Sequence, residues 1–431
     1  MAVSTLPFYP ARAHAVKNAR PACYSGCERL PDIRRQTHKT ARERERAFLV
    51  AVQTRRSGAR AGSWDAESSL AELGRLVETA GGRVVGQTIQ KLDSPHPAQY
   101  VGAGRLEDII AQRETFGYNL VVFDDELRPR QQRKLEDALG VKVLDRTALI
   151  LDIFAMRART REGQLQVELA QSEYLLPRLA GQWSHLEHLG GSGSQGSIGM
   201  RGPGEKQLET DRRLARKRIG RLKKDIEGVR RQRSLYRRRR AKSGVPVVAL
   251  VGYTNAGKST LMRALTRADV LIEDRLFATL DPVTRQIHLP SGRAALLTDT
   301  VGFIQKLPTQ LIAAFQATLE ELAEADLLLH AVDITHPEAA QQSQTVDDTL
   351  AELGLENKPR VTALNKVDML IEHEGDEPDD LSAFELSLAE HRPDAVLVSA
   401  QEKWGLDHLL ARIDEELERV TKAPQFADRP A

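Results

Sequence analysis

The chain has 431 residues, of which 41% are hydrophobic and 28% are charged; these proportions allow packed cores and exclude a chain that is disordered throughout. The 62 Lys and Arg nearly balance the 60 Asp and Glu, so net charge alone indicates no polyanionic partner. At roughly 100–200 residues per domain, the length predicts two to four domains. No run approaches the ~20 apolar residues of a membrane span, and we therefore expect none.

The first 44 residues are rich in Arg and Lys and follow neither a helical nor a strand period, so they predict a flexible basic extension. A mitochondrial-type transit sequence has a similar composition and stays open as an alternative. Residues 45–180 alternate between short apolar runs and helical patterns, which predicts a β/α domain. The predicted strands are 48–52, 84–89, 120–123 and 141–144, and the predicted helices are 68–80, 106–115 and 129–139.

A glycine-rich stretch at 190–204 precedes a long helical pattern at 205–242. The glycines predict a mobile loop or linker. The helix holds 17 Lys and Arg against 5 Asp and Glu, and the resulting self-repulsion favours a polyanionic partner such as nucleic acid. The alternative is a solvated helix that packs one apolar stripe against a neighbour. The loop and the helix together predict a helical subdomain at 181–243.

A phosphate-binding loop follows the apolar strand pattern at 245–251. Such a loop presents backbone N–H groups to phosphate oxygens, and its tight turn explains Gly252 and Gly257. Lys258 supplies a charge to the β- and γ-phosphates, and the Ser259 hydroxyl is suited to bind Mg²⁺. The predicted nucleotide contacts in this loop are Gly252, Tyr253, Thr254, Asn255, Ala256, Gly257, Lys258 and Ser259.

A second candidate segment follows the predicted strand at 294–297. Asp299, 40 residues after Ser259, is suited to a water-mediated contact with Mg²⁺. Gly302 would let the backbone approach the γ-phosphate. An Asp at a strand end is also common as a turn or cap residue, so its position relative to the phosphate loop carries the argument. The predicted contacts here are Asp299, Thr300, Val301 and Gly302.

A third segment, after the predicted strand at 360–364, indicates which base is bound. The carboxylate of Asp368 would accept hydrogen bonds from N1–H and the exocyclic amine of guanine, and adenine lacks both donors. Lys366 would cover the plane of the base, and Asn365 would hold this segment against the phosphate loop. Backbone N–H groups after the predicted strand at 395–398 would reach the guanine carbonyl. The predicted contacts are Asn365, Lys366, Val367, Asp368, Ser399, Ala400 and Gln401.

Together these segments resemble the translation-factor-related class of P-loop GTPases, and more narrowly the HflX family of ribosome-associated GTPases. The resemblance extends from about residue 45 to about residue 420. Further motifs that carry it are YVGAGR at 100–105, LDRT at 144–147, ILDIF at 150–154, QVELA at 166–170, RGPGE at 201–205 and FATLD at 277–281. It implies an α/β fold, in which an N-terminal β/α domain and a long helical segment precede a P-loop GTPase domain with a parallel-type sheet. That domain would occupy 244–431 and end in a C-terminal helix and tail.

The resemblance also implies roles for single residues. Thr279 would be the switch threonine that joins Ser259 on Mg²⁺ and senses the γ-phosphate. Resemblance to GTPases without a catalytic glutamine suggests that Asn255 helps to hold K⁺ beside the phosphates. The first switch would consist of Phe277, Ala278, Thr279, Leu280 and Asp281. The implied catalytic residues are Lys258, Thr279 and Gly302, and the implied metal ligands are Ser259 and Thr279.

Phe303 follows Gly302, where Ras-like GTPases place the glutamine that orients the attacking water. We therefore expect slow intrinsic hydrolysis that a partner accelerates, although Phe303 would equally suit a simple packing role. The resemblance implies binding to the large ribosomal subunit and its rRNA, in ribosome splitting, rescue or recycling. It also implies a cytoplasmic monomer that associates peripherally with ribosomes or membranes. The alternative function is an RNA-binding assembly or scaffold protein whose affinity is tuned by guanine nucleotide, with negligible turnover.

Overall fold

A computed structural model describes residues 44–54, 65–182, 203–241, 244–266, 276–307, 321–370 and 394–422. The predicted basic extension up to residue 43 lies outside the described residues, as does the glycine-rich stretch up to residue 202. All elements named below belong to one unit, Arg44–Ala431. Within the described ranges, none of the helices has the length and apolar composition of a membrane span.

A four-stranded sheet with helices on both faces forms the N-terminal region. Its elements are β1 (Arg46–Thr54), α1 (Ala66–Thr79), β2 (Arg83–Leu92), α2 (Ala103–Phe116), β3 (Leu120–Phe123), α3 (Pro129–Leu139), β4 (Lys142–Asp145) and α4 (Arg146–Arg157). All strands are parallel, in the order β2-β1-β3-β4. Because successive side chains of a strand point to opposite faces, Leu49 and Ala51 join one hydrophobic cluster and Phe48 and Val50 join another. The sheet is therefore buried on both sides, as parallel sheets require.

The sequence patterns predicted this region well, with one exception. Strand β3 and helix α3 begin and end at the predicted residues, and the other predicted elements differ by a few residues at their ends. Helix α4 was not predicted. Every residue of α4 from Arg146 to Leu151 is buried, as are Ile153 and Phe154, so the helix lacks the alternation of apolar and polar faces that reveals a surface helix.

Two long helices follow, α5 (Arg161–Gln182) and α6 (Pro203–Ala241). They pack against each other through Leu165 and Leu169 of α5 and Leu222 and Ile226 of α6. The predicted domain boundary at 180 falls inside α5, which belongs to the helical pair as much as to the domain before it. Helix α6 confirms the predicted basic helix and begins at a proline, a residue favoured in the first turn because its missing N–H is not needed there.

A six-stranded sheet forms the C-terminal domain and confirms the predicted α/β fold with a parallel-type sheet. Its elements are β5 (Val247–Gly252), α7 (Lys258–Thr266), β6 (Val283–His288), β7 (Ala294–Asp299), β8 (Leu327–Asp333), α8 (Ala339–Glu352), β9 (Arg360–Asn365), β10 (Ala395–Leu397) and α9 (Leu406–Lys422). The order is β10-β9-β8-β5-β7-β6, and only the pairing of β6 with β7 is antiparallel within the described sheet. The parallel strands end at one common edge, where ligands bind in open α/β sheets.

Candidate nucleotide site

The loop between β5 and α7 holds the side chain of Lys258 inside the domain. Its Nζ donates hydrogen bonds to the backbone oxygens of Gly252 at 3.1 Å and Tyr253 at 2.7 Å. Burial lowers the pKa of Lys258 to about 8, and the nearby charge of Asp299 acts in the opposite direction. An anionic ligand would stabilise the charged form of this buried ammonium, because the anion offsets the cost of desolvation.

Three oxygens converge beside this lysine. The Oδ2 atom of Asp299 accepts hydrogen bonds from Ser259 Oγ at 2.8 Å and Thr279 Oγ1 at 2.9 Å, and the two hydroxyls are 2.9 Å apart. The other oxygen, Oδ1, is buried and has no hydrogen-bond partner among the described residues. Burial raises the pKa of Asp299, although Lys258 and the two hydroxyls oppose the shift. Two hydroxyls and an incompletely bonded carboxylate form a donor set that fits Mg²⁺.

The backbone at Gly302 passes close to the same lysine. A Cβ atom at this position would lie 2.8 Å from Nζ of Lys258 and 3.0 Å from Cα of Thr254. The absence of a side chain at this position therefore favours the close approach of the chain to the phosphate loop. The loop and this segment are also joined directly, since the backbone N–H of Thr254 donates to the oxygen of Phe303 at 2.8 Å.

The base end of the site is built on the loops after β9 and β10. Asn365 donates from Nδ2 to the backbone oxygen of Ala256 at 2.9 Å, and its Oδ1 accepts from the N–H of Ala400 at 3.1 Å. One side chain thus joins three loops, in agreement with the predicted role of Asn365. Asp368 Oδ1 is buried without a hydrogen-bond partner among the described residues, which fits a carboxylate that accepts from a ligand.

A cavity of about 420 Å³ connects these groups. Of the predicted contacts, the structure places fifteen on its wall: Thr254, Asn255, Gly257, Lys258, Ser259, Phe277, Ala278, Thr279, Thr300, Gly302, Asn365, Lys366, Asp368, Ala400 and Gln401. Thr260 and Met369 complete the wall and were not predicted. Nine further predicted contacts lie away from the wall: Gly252, Tyr253, Ala256, Leu280, Asp281, Asp299, Val301, Val367 and Ser399.

The chain is similar in sequence to known GTPases over most of its length. A GTPase HflX of Caldanaerobacter subterraneus is 48% identical over 387 residues, which cover 90% of this chain and 84% of the relative. A GTPase HflX of Escherichia coli is 44% identical over 348 residues, which cover 81% and 79%. The chain belongs to the HflX family of GTPases.

Family models divide the HflX chain into three parts. An N-terminal model for GTP-binding GTPases matches residues 67–155, a middle-region model matches 157–240, and a model described as a 50S ribosome-binding GTPase matches 247–366. A solved structure of a GTP-binding protein from Sulfolobus solfataricus in complex with GDP is 26% identical and covers 87% of this chain and 99% of its own, with a TM-score of 0.41.

Several contacts that the sequence did not predict link the N-terminal region to the nucleotide domain. The hydroxyl of Tyr253 donates to Glu72 Oε1 at 2.5 Å and accepts from the N–H of Gln305 at 2.9 Å. Glu72 also pairs with the buried guanidinium of Arg146. Burial raises the pKa of Tyr253 to about 12, so the phenol keeps its proton. This contact joins the phosphate loop, the segment after Gly302 and helix α1.

A lysine extends this contact. Lys306 Nζ lies 2.5 Å from Asp124 Oδ2 and 2.6 Å from Asp125 Oδ1, and Arg146 pairs with the other oxygen of Asp124 at 2.7 Å. No local pattern marks these residues, because the partners are far apart in the chain; Tyr253 and Glu72 are separated by 181 positions. The LDRT motif at 144–147, which carries part of the resemblance, was the only signal that included Arg146.

Another unpredicted contact concerns Lys366. Its Nζ lies 2.6 Å from Asp333 Oδ2 at the end of β8, and hydrogen bonds from Lys366 and Thr335 lower the pKa of Asp333 against the opposing effect of burial. The pair fixes the side chain that was predicted to cover the base. The signal available in the sequence was the apolar strand that ends in Asp333. This strand, β8, pairs with β9 and places Asp333 opposite Asn365.

Proposed function

We propose that this chain binds GTP with Mg²⁺, hydrolyses it slowly, and associates in its GTP form with the rRNA of the large ribosomal subunit. GTP binding and GTPase activity follow from membership of the HflX family, and the ribosomal partner is the proposed extension. The observation that carries this extension is the basic outer face of helix α6. The description of the matching family model as a 50S ribosome-binding GTPase supports the same partner.

The cation site would be formed by Ser259 and Thr279, with Asp299 behind them. Bound Mg²⁺ neutralises charge on phosphate oxygens during phosphoryl transfer. Lys258 would hold the β- and γ-phosphates, and the backbone at Gly302 would lie beside the terminal phosphate. Asp368 would select guanine through its unpaired oxygen. Asn255, exposed on the cavity wall, would help to hold K⁺.

Helix α6 presents opposite faces to the protein and to solvent. Ile219, Leu222 and Ile226 pack against α5. The stripe of cationic residues turned away from this contact consists of Arg213, Lys217, Arg221 and Lys224, spaced three or four positions apart. All four are exposed, and none forms an ion pair with any residue that the structure describes. Uncompensated cations along one face are the electrostatic signature of a nucleic-acid contact.

Slow hydrolysis is proposed because of Phe303. Its side chain is buried in the hydrophobic cluster that includes Tyr253, and an apolar ring cannot orient an attacking water. The buried position also agrees with the packing role that the sequence left open. A partner that reorders the switch segments would supply the missing activation.

Cosedimentation with purified large subunits tests the ribosomal partner. The full chain is incubated with subunits in the presence of GDP or a non-hydrolysable GTP analogue over a range of salt concentrations. The test variant replaces four cations with Gln: Arg213, Lys217, Arg221 and Lys224. It should bind more weakly, and the fall of log K with log salt should become less steep by about 0.7–1 for each lost phosphate contact.

The matched control neutralises four cations elsewhere, in the nucleotide domain: Arg263, Arg285, Arg419 and Lys422. This control has the same net charge as the helix variant, so it should retain wild-type binding if the α6 stripe is the contact. Equal weakening in both variants would indicate a bulk charge effect and would contradict the proposed surface.

The same buried Phe303 also favours the scaffold alternative, because it stands where Ras-like GTPases place the glutamine that orients the attacking water. Single-turnover hydrolysis of GTP with and without large subunits separates the two functions. A regulated GTPase should show faster hydrolysis with subunits present. A scaffold protein should show no acceleration, although it would still bind the subunit in a manner dependent on guanine nucleotide.

A further inference from the structure

The switch segment 277–281 contacts two different parts of the molecule. Thr279 faces the cavity, where its hydroxyl lies 2.9 Å from both Ser259 Oγ and Asp299 Oδ2. Asp281, only two positions later, faces the N-terminal end of helix α5. The sequence placed Asp281 among the nucleotide contacts, but its carboxylate is occupied on the other side of the segment.

The carboxylate of Asp281 binds the two residues that directly precede α5. Its Oδ2 accepts from the backbone N–H groups of Arg159 and Thr160, each at 2.8 Å, and its Oδ1 accepts from the hydroxyl of Thr160. The same hydroxyl accepts from the N–H of Gly163 at 3.0 Å, so Thr160 caps the helix. A carboxylate at a helix N-terminus is favoured because unpaired N–H groups give that end a partial positive charge.

Gly163 provides the space for this contact. A Cβ atom at position 163 would lie 2.4 Å from Oδ1 of Asp281, a distance that non-bonded atoms do not reach. Alanine is otherwise the better residue inside a helix. The absence of a side chain at this position is therefore explained by the approach of Asp281.

Apolar contacts hold the rest of the segment against the N-terminal region. The ring of Phe277 meets the ring of Phe154 in α4 edge to face, with centroids 4.6 Å apart and an interplanar angle of 82°. Leu280 is buried in the same hydrophobic cluster as Phe154. Both flanks of Thr279 are thus anchored on α4 and α5, and Thr279 alone among the polar residues of the segment faces the oxygens of the cavity.

We propose that Asp281 is a positioning residue that sets the location of Thr279 by binding the start of helix α5. The inference rests on the proposed assignment of Thr279 to the metal and γ-phosphate. Because α5 packs against the basic helix α6, the nucleotide and any partner of α6 are linked through this contact. Such linkage is reciprocal: a partner that shifts α5 changes the preference for GTP, and GTP changes the affinity for that partner.

The test measures the affinities of the full chain for GDP and for the non-hydrolysable analogue GMPPNP. Asp281→Ala should lower the preference for GMPPNP over GDP roughly 5- to 150-fold, the usual range of coupling between sites, and should leave GDP affinity unchanged. Gly163→Ala should act in the same direction by displacing Asp281. The double variant should be no worse than Asp281→Ala, because the added methyl group then meets no carboxylate.

Two further variants separate the possible failures. Ser68→Ala removes another hydrogen bond between the N-terminal region and the nucleotide domain, the one from its hydroxyl to Glu338 Oε1 at 3.2 Å, and should leave the preference unchanged; a decrease equal to that of Asp281→Ala would overturn the inference. Thr279→Ala should lower the preference at least as much as Asp281→Ala. If Thr279→Ala lowers it and the Asp281 and Gly163 variants do not, the inference alone fails. If Thr279→Ala has no effect, the proposed role of Thr279 fails and the inference with it.

Discussion

Both sheets of this chain place buried aspartates where parallel strands end: Asp124 and Asp145 at the N-terminal sheet and Asp299 at the C-terminal sheet. Both oxygens of Asp145 accept hydrogen bonds, and its partners include Tyr174 at 2.9 Å and Arg178 at 3.1 Å. Oδ1 of Asp299, in contrast, has no partner among the described residues. A strand-end carboxylate that is fully bonded within the protein stabilises the fold, whereas one with an unused oxygen is suited to a ligand.

The two sheet edges also differ in what they contact. The C-terminal edge surrounds a cavity, and its carboxylates Asp299 and Asp368 both have an oxygen without a partner among the described residues. Asp124 at the N-terminal edge is bonded to Ser69, Arg146 and Lys306, and Lys306 comes from the nucleotide domain. The C-terminal edge is therefore suited to a ligand, and the N-terminal edge is a contact between two regions of the chain.

The largest expected effect concerns the base. Asp368→Asn should lower the affinity for GTP by up to about 10⁴-fold, because the amide replaces an acceptor with a donor opposite N1–H of guanine. The variant should gain affinity for xanthosine triphosphate, whose oxygen at the position of the amine accepts a hydrogen bond. Titration calorimetry with both nucleotides measures this exchange. Wild-type affinity for GTP in the Asp368→Asn variant would contradict the assignment of the ligand edge.

A smaller effect is expected at the bonded edge. Asp145→Asn should destabilise the N-terminal region by about 3–5 kcal/mol, because it removes the buried carboxylate that lies 3.1 Å from Arg178 and leaves that guanidinium only the half-exposed Glu126, 4.0 Å away. Faster hydrogen exchange of β3 and β4 amides would report the loss. GTP affinity should stay at the wild-type value, and selectivity for guanine should not change. A changed base preference in this variant would show that the two edges are not separate in function.

These two positions also show how far the sequence alone could reach. The placement of the C-terminal edge was predictable because each loop follows an apolar strand directly, so local spacing could bring Lys258, Asp299 and Asp368 to one edge of the sheet. The bonded edge was not, since Arg146 and its partners are distant in sequence and each looks like an ordinary charged residue. The direction of Asp281 was missed for a similar reason. Spacing places a residue in a segment but does not say which face of that segment meets another helix.

The smallest effect concerns pH. The pKa of Lys258 is lowered to about 8 in the free protein, and a bound triphosphate should raise it. GTP affinity should therefore be highest below pH 8 and fall by up to about tenfold per pH unit above it. Calorimetry in buffers of different ionisation enthalpy should show proton uptake on GTP binding at pH 8.5 and little at pH 6.5. Equal proton uptake at the two pH values would argue against this coupling.

Arg146 at the N-terminal edge should not titrate in the pH range in which Lys258 does. Burial lowers the pKa of Arg146 to about 10, so its guanidinium stays charged throughout the range in which Lys258 titrates. Hydrogen exchange of the N-terminal sheet should accordingly show the same relative protection at pH 6.5 and pH 8.5, once the intrinsic exchange rates are taken into account.

The ion pairs of Asp124 have a consequence for the order in which a nascent chain can fold. Ser69 and Arg146 lie 2.7 Å from its two oxygens, and both are translated long before Lys306. Glu72 likewise meets Arg146 before Tyr253 has been synthesised. The N-terminal region can therefore pair Arg146 with both carboxylates during vectorial synthesis, when N-terminal domains generally fold first. Two carboxylates against one guanidinium leave an excess negative charge, which Lys306 offsets when the later residues dock.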